Sequence, residues 1–333
     1  MSGDVREAVP AGQANSSTEA QLYNDIWVKS YSYLRTAMVA LLVGLGAAVF
    51  YQTSHQGFRP LPSVSAYYYT PAQAIFVGAL IGLGACMIAL KGTTSVEEVL
   101  LNLGGIFAAV VAIVPTSRIQ DYRAAVAICE QADSPLLTDT DCPTVQALAV
   151  ATRANVENNI FALLVMGLLG LVATVCLAVV FKRRGRGRFG AEFWWGFGLA
   201  LLVWVVGTVA FIVRIEWLID YAHFTTAVGL LVCVLVVAVA NARRHDERPL
   251  RLVVDTPTRN RYHWIAVLLV LVAVSGVALW RLEVISIFWL EIAVALLFAV
   301  FWLVQTIELM PRRLQPASAS RPADDLVEPL ATD

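Results

Sequence analysis

The sequence predicts an all-α fold, a polytopic membrane helix bundle with about eight transmembrane helices. Hydrophobic residues make up 58% of the chain and charged residues only 15%, a composition suited to surface in contact with lipid. Long apolar segments recur between residues 34 and 306 and leave little sequence for a separate soluble domain. Basic residues cluster between these segments, as expected for the loops of a membrane protein.

Eight apolar segments have lengths close to what a membrane crossing requires. The hydrocarbon core is about 30 Å thick and a helix rises about 1.5 Å per residue, so roughly 20 apolar residues are needed. The segments are 34–51, 72–90, 99–114, 161–181, 194–213, 222–240, 264–280 and 288–306. Several are apolar on every face, whereas a soluble amphipathic helix keeps one polar face.

The third segment, 99–114, is the shortest and gives the weakest of these predictions. A buried or tilted helix would also account for its length. We retain it as a crossing.

Basic residues predict the orientation of the protein. Clusters follow the fourth segment, separate the sixth from the seventh, and follow the eighth. They comprise Lys182, Arg183, Arg184, Arg186 and Arg188, then Arg243, Arg244, Arg248, Arg251, Arg259 and Arg261, and finally Arg312 and Arg313. Eight crossings put all three on one side, which the positive-inside rule identifies as the cytoplasm. We predict a multi-pass protein of a bacterial plasma membrane with both termini cytoplasmic.

The predicted transmembrane domain covers 31–310 and includes one long outer loop at 115–158. The flanking segments 1–30 and 311–333 are polar, and both are predicted to be disordered and cytoplasmic. A net charge of −1 gives no sign of a nucleic-acid partner. The sequence contains neither a Walker A loop nor a dinucleotide-binding glycine motif, so we expect no nucleotide and no cofactor.

Five cysteines divide according to this topology. Cys86, Cys176 and Cys233 fall within predicted membrane helices, where a cysteine usually packs as a small apolar side chain. Cys129 and Cys142 lie in the long outer loop, and an oxidising exterior permits a disulfide between them. We predict this bond, with two free thiols as the alternative.

Small residues recur at four-residue spacing in the first three segments, including a Gly78-x-x-x-Gly82 motif. Such stripes allow helix backbones to approach closely inside a membrane. We expect them to pack helices one to three against each other, in preference to forming a dimer face.

Polar residues converge near the outer ends of the helices if there are eight crossings. Because an ion at membrane depth costs several kcal/mol unless it is paired or hydrated, such residues carry information about function. Candidate residues for a ligand-binding pocket are Ser65, Tyr67, Tyr68, Tyr69, Arg118, Asp220, His223, Trp289 and Glu291. No metal site is predicted.

Each of these candidates also has a structural interpretation. Interfacial tyrosine and tryptophan side chains are normally an aromatic belt. His223 can serve as a hydrogen-bonding group at a helix end, and Glu291 can pair with Arg214, Arg281 or His223. Glu216, Asp220 and His223 are spaced to lie on one helical face.

The stretch 62–71 reads P-S-V-S-A-Y-Y-Y-T-P and is followed by F-V-G-A-L at 76–80. A later helix begins with H-F at His223, and the last begins with F-W-L-E-I-A-V at Phe288. Together these resemble an uncharacterised family of small bacterial multi-pass membrane proteins. The resemblance covers segments one to three and six to eight and implies membrane location and a shared core, but no reaction. Relative to those proteins, the outer loop and segments four and five look like an insertion.

Three classes of function are compatible with the sequence. We favour non-catalytic binding of a lipid, a small ligand or a partner membrane protein through the outer polar pocket. A hydrolase would use Ser63 or Ser65 as nucleophile and His223 as base, oriented by Asp220 or Glu291. It could alternatively hold zinc with His55 and His223, completed by Asp220, Glu216 or Glu291. A transporter is less favoured, because the helix centres lack charged residues.

Cysteine labelling tests the predicted topology. In a background without native cysteines, we expect a cysteine at Ser134 to react with a membrane-impermeant reagent from outside the cell. Cysteines at Gly185 and Thr256 should react only after the membrane is permeabilised. Reaction of the Gly185 variant from the exterior would contradict eight crossings.

Overall fold

The computed structural model describes residues 11–92, 94–132, 142–184, 190–247 and 259–309. Within these ranges the chain is all-α and contains no β-strand, which confirms the predicted fold class. The helices are α1 (Ala11–His55), α2 (Gln73–Ala89), α3 (Ser95–Ile113), α4 (Ile119–Ala132), α5 (Val145–Arg183), α6 (Ala191–Val213), α7 (Ile215–Glu247), α8 (Arg259–Arg281) and α9 (Ile287–Leu309). A 3-10 helix, Ser65–Tyr69, lies between α1 and α2.

Each predicted crossing coincides with an apolar helix. Seven helices are long and apolar enough to span a membrane, and α2 is an apolar helix of 17 residues. The shortest crossing is therefore α2, which is still within the range of about 17–25 residues that a span requires. The third segment, which gave the weakest prediction, becomes the 19-residue helix α3, the most extensively buried of the seven.

Local signals set several helix boundaries. The Thr94 hydroxyl accepts a hydrogen bond from the N–H of Glu97 at 3.2 Å at the start of α3, and Thr144 begins α5 in the same way. These N-caps satisfy N–H groups that a helix start leaves without an intrahelical acceptor. Between α6 and α7 there is one residue, Arg214, whose backbone departs from helical geometry and turns the chain.

Two core clusters show that the helices alternate in direction. One joins the earlier parts of the α1 span, α3 and α8 to the later parts of α2, α7 and α9, around Leu269 and Trp302. The other joins the end of α1 and the starts of α2 and α9 to the 3-10 helix, around Tyr67 and Phe288. We call the first the terminal end, because the α1 span begins and α9 ends there, and the second the cap end.

Helices α5 and α6 form a hairpin at the side of this bundle. Val156 and Ile160 of α5 pack against Val114 and the start of α7, whereas no residue of α6, all of which the structure describes, is buried. The Trp204 indole N–H of α6 donates to the Leu164 carbonyl of α5 at 2.8 Å. The hairpin therefore lies at the edge of the bundle, and most of its apolar surface is left for lipid.

The disulfide between Cys129 and Cys142 is present, as predicted, with a Cα–Cα distance of 5.8 Å. It ties the end of α4 to the residues just before α5. Tyr122 and Ala125 of α4 are buried against the 3-10 helix, so α4 covers the cap end of the bundle. Cys86, Cys176 and Cys233 are free and lie within membrane helices, also as predicted.

One boundary differs from the expectation. The backbone of 11–30 is helical, although disorder was expected over 1–30. Alanine, glutamine and glutamate favour helix, and extending a helix that an apolar span has already nucleated costs little. The predictions for 1–10 and 311–333, and those for Ser134, Gly185 and Thr256, fall outside the described residues.

The glycine stripes are used unevenly. Gly82 faces the Leu41 side chain of α1, as expected for packing between the first helices, whereas Gly78 has no atom within 4 Å of its hypothetical Cβ. The backbones of two helices come close at Gly84 of α2 and Gly105 of α3, where a Cβ on Gly84 would meet the Gly105 carbonyl oxygen at 2.6 Å.

We predict that Gly84→Ala destabilises the bundle, because backbone atoms of two packed helices must then separate. A loss of roughly 1–3 kcal/mol is expected, the usual cost of overpacking a core. Gly78→Ala is the matched control on the same helix and should be neutral or slightly stabilising, because alanine is the better helix former. Thermal unfolding of both variants in one detergent measures the difference, and equal unfolding temperatures would contradict the close contact.

Candidate functional site

The residues between α1 and α2 form a buried, largely non-helical segment at the cap end, which we call the tyrosine segment (60–72). Proline at positions 60, 62 and 71 prevents a continuous helix here, because proline lacks the N–H that a helix needs. Ser65–Tyr69 instead adopts one short 3-10 helix, and every residue in it is buried. Tyr67 has no exposed surface at all.

Two tyrosine hydroxyls connect this segment to neighbouring helices. The Tyr67 hydroxyl donates to Thr53 of α1 at 2.5 Å, since the Thr53 hydroxyl proton is already donated to the Val49 carbonyl. The Tyr69 hydroxyl donates to the Thr116 carbonyl just past α3, also at 2.5 Å. Tyr67 and Tyr69, which were predicted to line a pocket, therefore connect helix ends through hydrogen bonds.

Burial also determines the protonation of these tyrosines. Desolvation raises the pKa of Tyr69, and the nearby Tyr122 and Asp121 raise it further. Burial raises the pKa of Tyr68 as well, against a smaller opposing effect of a hydrogen bond with Gln73. Both hydroxyls stay protonated at neutral pH, so the Tyr69 hydroxyl keeps the proton that it donates to Thr116.

Asp121, in the first turn of α4, is completely buried. Its carboxylate accepts hydrogen bonds from Thr116 at 2.8 Å and Ser63 at 3.4 Å. The Arg118 guanidinium donates twice, from Nε at 2.9 Å and from Nη2 at 3.3 Å. A buried carboxylate is tolerated only when it is paired and fully hydrogen-bonded, and here both conditions hold. The Arg118 side chain remains 37% exposed.

Glu291, one turn into α9, binds the backbone of the tyrosine segment. Its Oε2 accepts a hydrogen bond from the Val64 N–H at 2.6 Å, and the Phe288 N–H donates to the Pro62 carbonyl at 3.1 Å. The Glu291 carboxylate therefore bonds to a backbone N–H, whereas the sequence had suggested Arg214, Arg281 or His223 as its partner. Arg281 instead lies over the Trp280 ring, 5.2 Å from its centroid.

His223 lies at the end of α3 rather than beside Glu291. Its Nδ1 is 2.6 Å from the Val114 carbonyl oxygen, and because a carbonyl only accepts, Nδ1 carries the proton. Val114 ends α3, where carbonyls have no intrahelical donor. The helix-end interpretation of His223 therefore describes its contact.

The structure brings together most of the predicted site and separates the rest. Six candidates belong to the network around the tyrosine segment: Ser65, Tyr67, Tyr68, Tyr69, Arg118 and Glu291. Trp289 is 56% exposed. Asp220 is also exposed, while Glu216 pairs with Arg153 of α5, so the predicted helical face with His223 forms no site.

Sequence reasoning gave too little weight to Asp121, Ser63 and Thr116. These form the buried centre of the network, although the sequence suggested a role only for Ser63, as a nucleophile. One available signal was the i, i+3 spacing of Arg118 and Asp121 at a helix start, where an acidic residue is favoured by the helix dipole.

The predicted nucleophile and base are not in contact. Ser63 Oγ lies 3.2 Å from Ser65 Oγ and donates to Asp121, and within the described ranges neither serine bonds to His223. Ser63 has no exposed surface from which to attack a substrate. No three His, Cys, Asp or Glu side chains converge among the residues described, so the zinc alternative finds no ligand set there.

An open concavity lies nearby, between α6 and α7. This groove has a volume of about 510 Å³. Four valines and Ala210 of α6 line it, together with Arg214 and Trp217. Because residues 205–217 lie in the half of the hairpin nearest the cap, the groove opens beside the cap end. The polar network is closed by its own hydrogen bonds, whereas this groove is accessible from the membrane side.

Comparison of the chain with protein-family models, with curated proteins and with solved structures finds no match. The resemblance to an uncharacterised bacterial family therefore stays a prediction.

We predict that Glu291→Leu destabilises the protein and that Glu291→Gln is tolerated better. Leucine leaves the Val64 N–H without an acceptor, and an unsatisfied buried donor costs about 1–3 kcal/mol. Glutamine keeps a side-chain carbonyl at a similar reach. Trp289→Leu, at the exposed neighbour, controls for general disturbance of α9. Unfolding temperatures in one detergent give the comparison, and a leucine variant as stable as the parent would show that the Val64 contact is dispensable.

Proposed function

We propose that this protein is a non-catalytic membrane protein that binds a lipid in the groove between α6 and α7. We further propose that it resides in a bacterial plasma membrane with the cap end outside the cell. The groove is the observation that carries the proposal, because its lining is apolar except at one end, where it carries one cation, Arg214. The basic residues that end α5 and α7 and begin α8 support the orientation, since they lie at the terminal end.

The groove follows from how α6 and α7 are connected. A single residue joins them, so the two helices meet at the cap end. Beyond this junction, α7 packs mainly on α3 and α8, whereas α6 packs on α5 as well as on α7. The face of α6 that carries Val205, Val209 and Val213 is left open beside the junction, and this open concavity is the groove.

The lining of the groove suits an acyl chain. Val209 is 54% exposed and Val213 is 66% exposed, so both are free to contact a molecule in the membrane. β-Branched side chains lose little rotamer freedom on binding, because they are already restricted in a helix. The volume of about 510 Å³ falls within the roughly 300–1,000 Å³ typical of ligand sites.

The polar groups of the groove are concentrated at one end. Arg214 and Trp217 lie at the junction of the two helices, where the membrane boundary is expected, and the valines extend from them into the apolar layer. This is the distribution of a lipid, which has a polar headgroup and an apolar tail. A water-soluble ligand would gain little from the valine-lined part.

Filling the groove tests the proposal. We expect Val209→Trp to reduce the lipid retained by the full chain, because the indole occupies the space of the acyl chain. Val172→Trp on α5 is the matched control, since Val172 is similarly exposed, at 50%, but does not line the groove. Native mass spectrometry of gently extracted protein reports the bound lipid. Equal lipid retention by the two variants would overturn the proposal.

A further inference from the structure

We infer that the groove selects lipids with a net negative headgroup, whose phosphate pairs with Arg214 while an acyl chain lies along the α6 valines. This inference rests on the proposed lipid-binding function and adds the chemical class of the ligand. It is carried by the position of Arg214, by the charges around it, and by the indole that borders it.

The backbone of Arg214 is fixed and its side chain is available. Its N–H donates to the Ala210 carbonyl at 2.9 Å, and its own carbonyl accepts from the Leu218 N–H at 3.1 Å. The residue is therefore held by both α6 and α7. Its side chain is exposed at the groove and, within the described chain, has no carboxylate within 4 Å.

The acidic residue nearest to Arg214 in the sequence already has an ion-pair partner. Glu216, two positions along, forms an ion pair with Arg153 of α5, and Arg153 also bonds to Glu157 at 3.2 Å. Asp220 is exposed one turn farther along α7 and lies beyond ion-pair distance of Arg214. Arg214 therefore forms no ion pair with either of these acids.

The start of α7 adds hydrogen-bond donors beside this charge. The N–H groups of Ile215, Glu216 and Trp217 precede the first intrahelical bond, which the Leu218 N–H makes to Arg214. Helix N-termini favour phosphate for this reason. Carbonyls that end α6 lie alongside and offset part of the helix field, so the guanidinium is the decisive positive group.

Trp217 completes the headgroup end of the site. Its ring is half-exposed and stacks on Tyr221 with centroids 5.7 Å apart. Tryptophan places an apolar ring and a polar N–H at the membrane boundary, where it can contact the glycerol region of a lipid. The headgroup of a zwitterionic lipid carries a cation, which Arg214 would repel. The headgroup of an anionic lipid carries no cation.

The experiment compares two lipids with identical acyl chains, phosphatidylglycerol and phosphatidylcholine. Each is titrated into delipidated full-length protein in one neutral detergent, and binding is read by native mass spectrometry. We expect the parent to prefer phosphatidylglycerol by roughly fivefold, the contribution of one basic residue at a membrane surface. The preference should shrink as ionic strength rises, because the pairing is electrostatic.

Variants assign the preference to Arg214. Arg214→Gln should bind both lipids equally, Arg214→Lys should retain most of the preference, and Arg281→Gln, at another exposed arginine of the cap end, should leave it unchanged. If Arg214→Gln keeps the phosphatidylglycerol preference and only unfolds at lower temperature, Arg214 is a helix-end cation and the inference is overturned. A parent with no preference at any ionic strength overturns it as well, without needing a variant.

The two proposals fail in distinguishable ways. If the parent binds both lipids equally and Val209→Trp abolishes that binding, the groove binds lipid but does not select its charge. If Val209→Trp leaves the binding of both lipids intact, the groove is not the lipid site, and the proposed function fails with the inference.

Discussion

The structure depends on one constraint: backbone groups buried at the edge of a membrane must find hydrogen-bond partners within the protein. Helices satisfy this internally, but the tyrosine segment and the ends of α3 and α9 do not. Glu291 accepts from the Val64 N–H, Tyr69 donates to the Thr116 carbonyl, and His223 donates to the Val114 carbonyl. Many of the conspicuous polar side chains at the cap end serve backbone atoms in this way.

Because of this constraint, a cluster of polar residues in a membrane protein can have either of two roles. It can bind a ligand, or it can satisfy buried backbone groups. Convergence of charged and aromatic residues is often taken as a binding pocket, and the sequence favoured that interpretation here. In the structure, most of these residues instead form hydrogen bonds and packing contacts within the protein. Asp121 and Tyr67 are fully buried. The open concavity lies elsewhere, along α6 at the edge of the bundle.

The sequence predicted the crossings because hydrophobic length is a local property, and eight crossings were enough to bring the polar residues to one end. It also predicted the disulfide, since both cysteines lie in one polar loop. It did not predict hydrogen-bond partners, because the Val64 N–H and the Val114 carbonyl are backbone atoms without a sequence signature. The groove was missed because it depends on which helix faces are left uncovered after packing, and composition does not reveal that.

The hydrogen bond between Glu291 and Val64 joins residues 227 positions apart. During synthesis the tyrosine segment emerges early, while its partner arrives only with the last helix. Until α9 inserts, the Val64 N–H lacks its carboxylate and the Pro62 carbonyl lacks the Phe288 N–H. The final helix therefore completes the hydrogen bonding of the cap end, and a chain truncated before it would leave these two backbone groups without their partners.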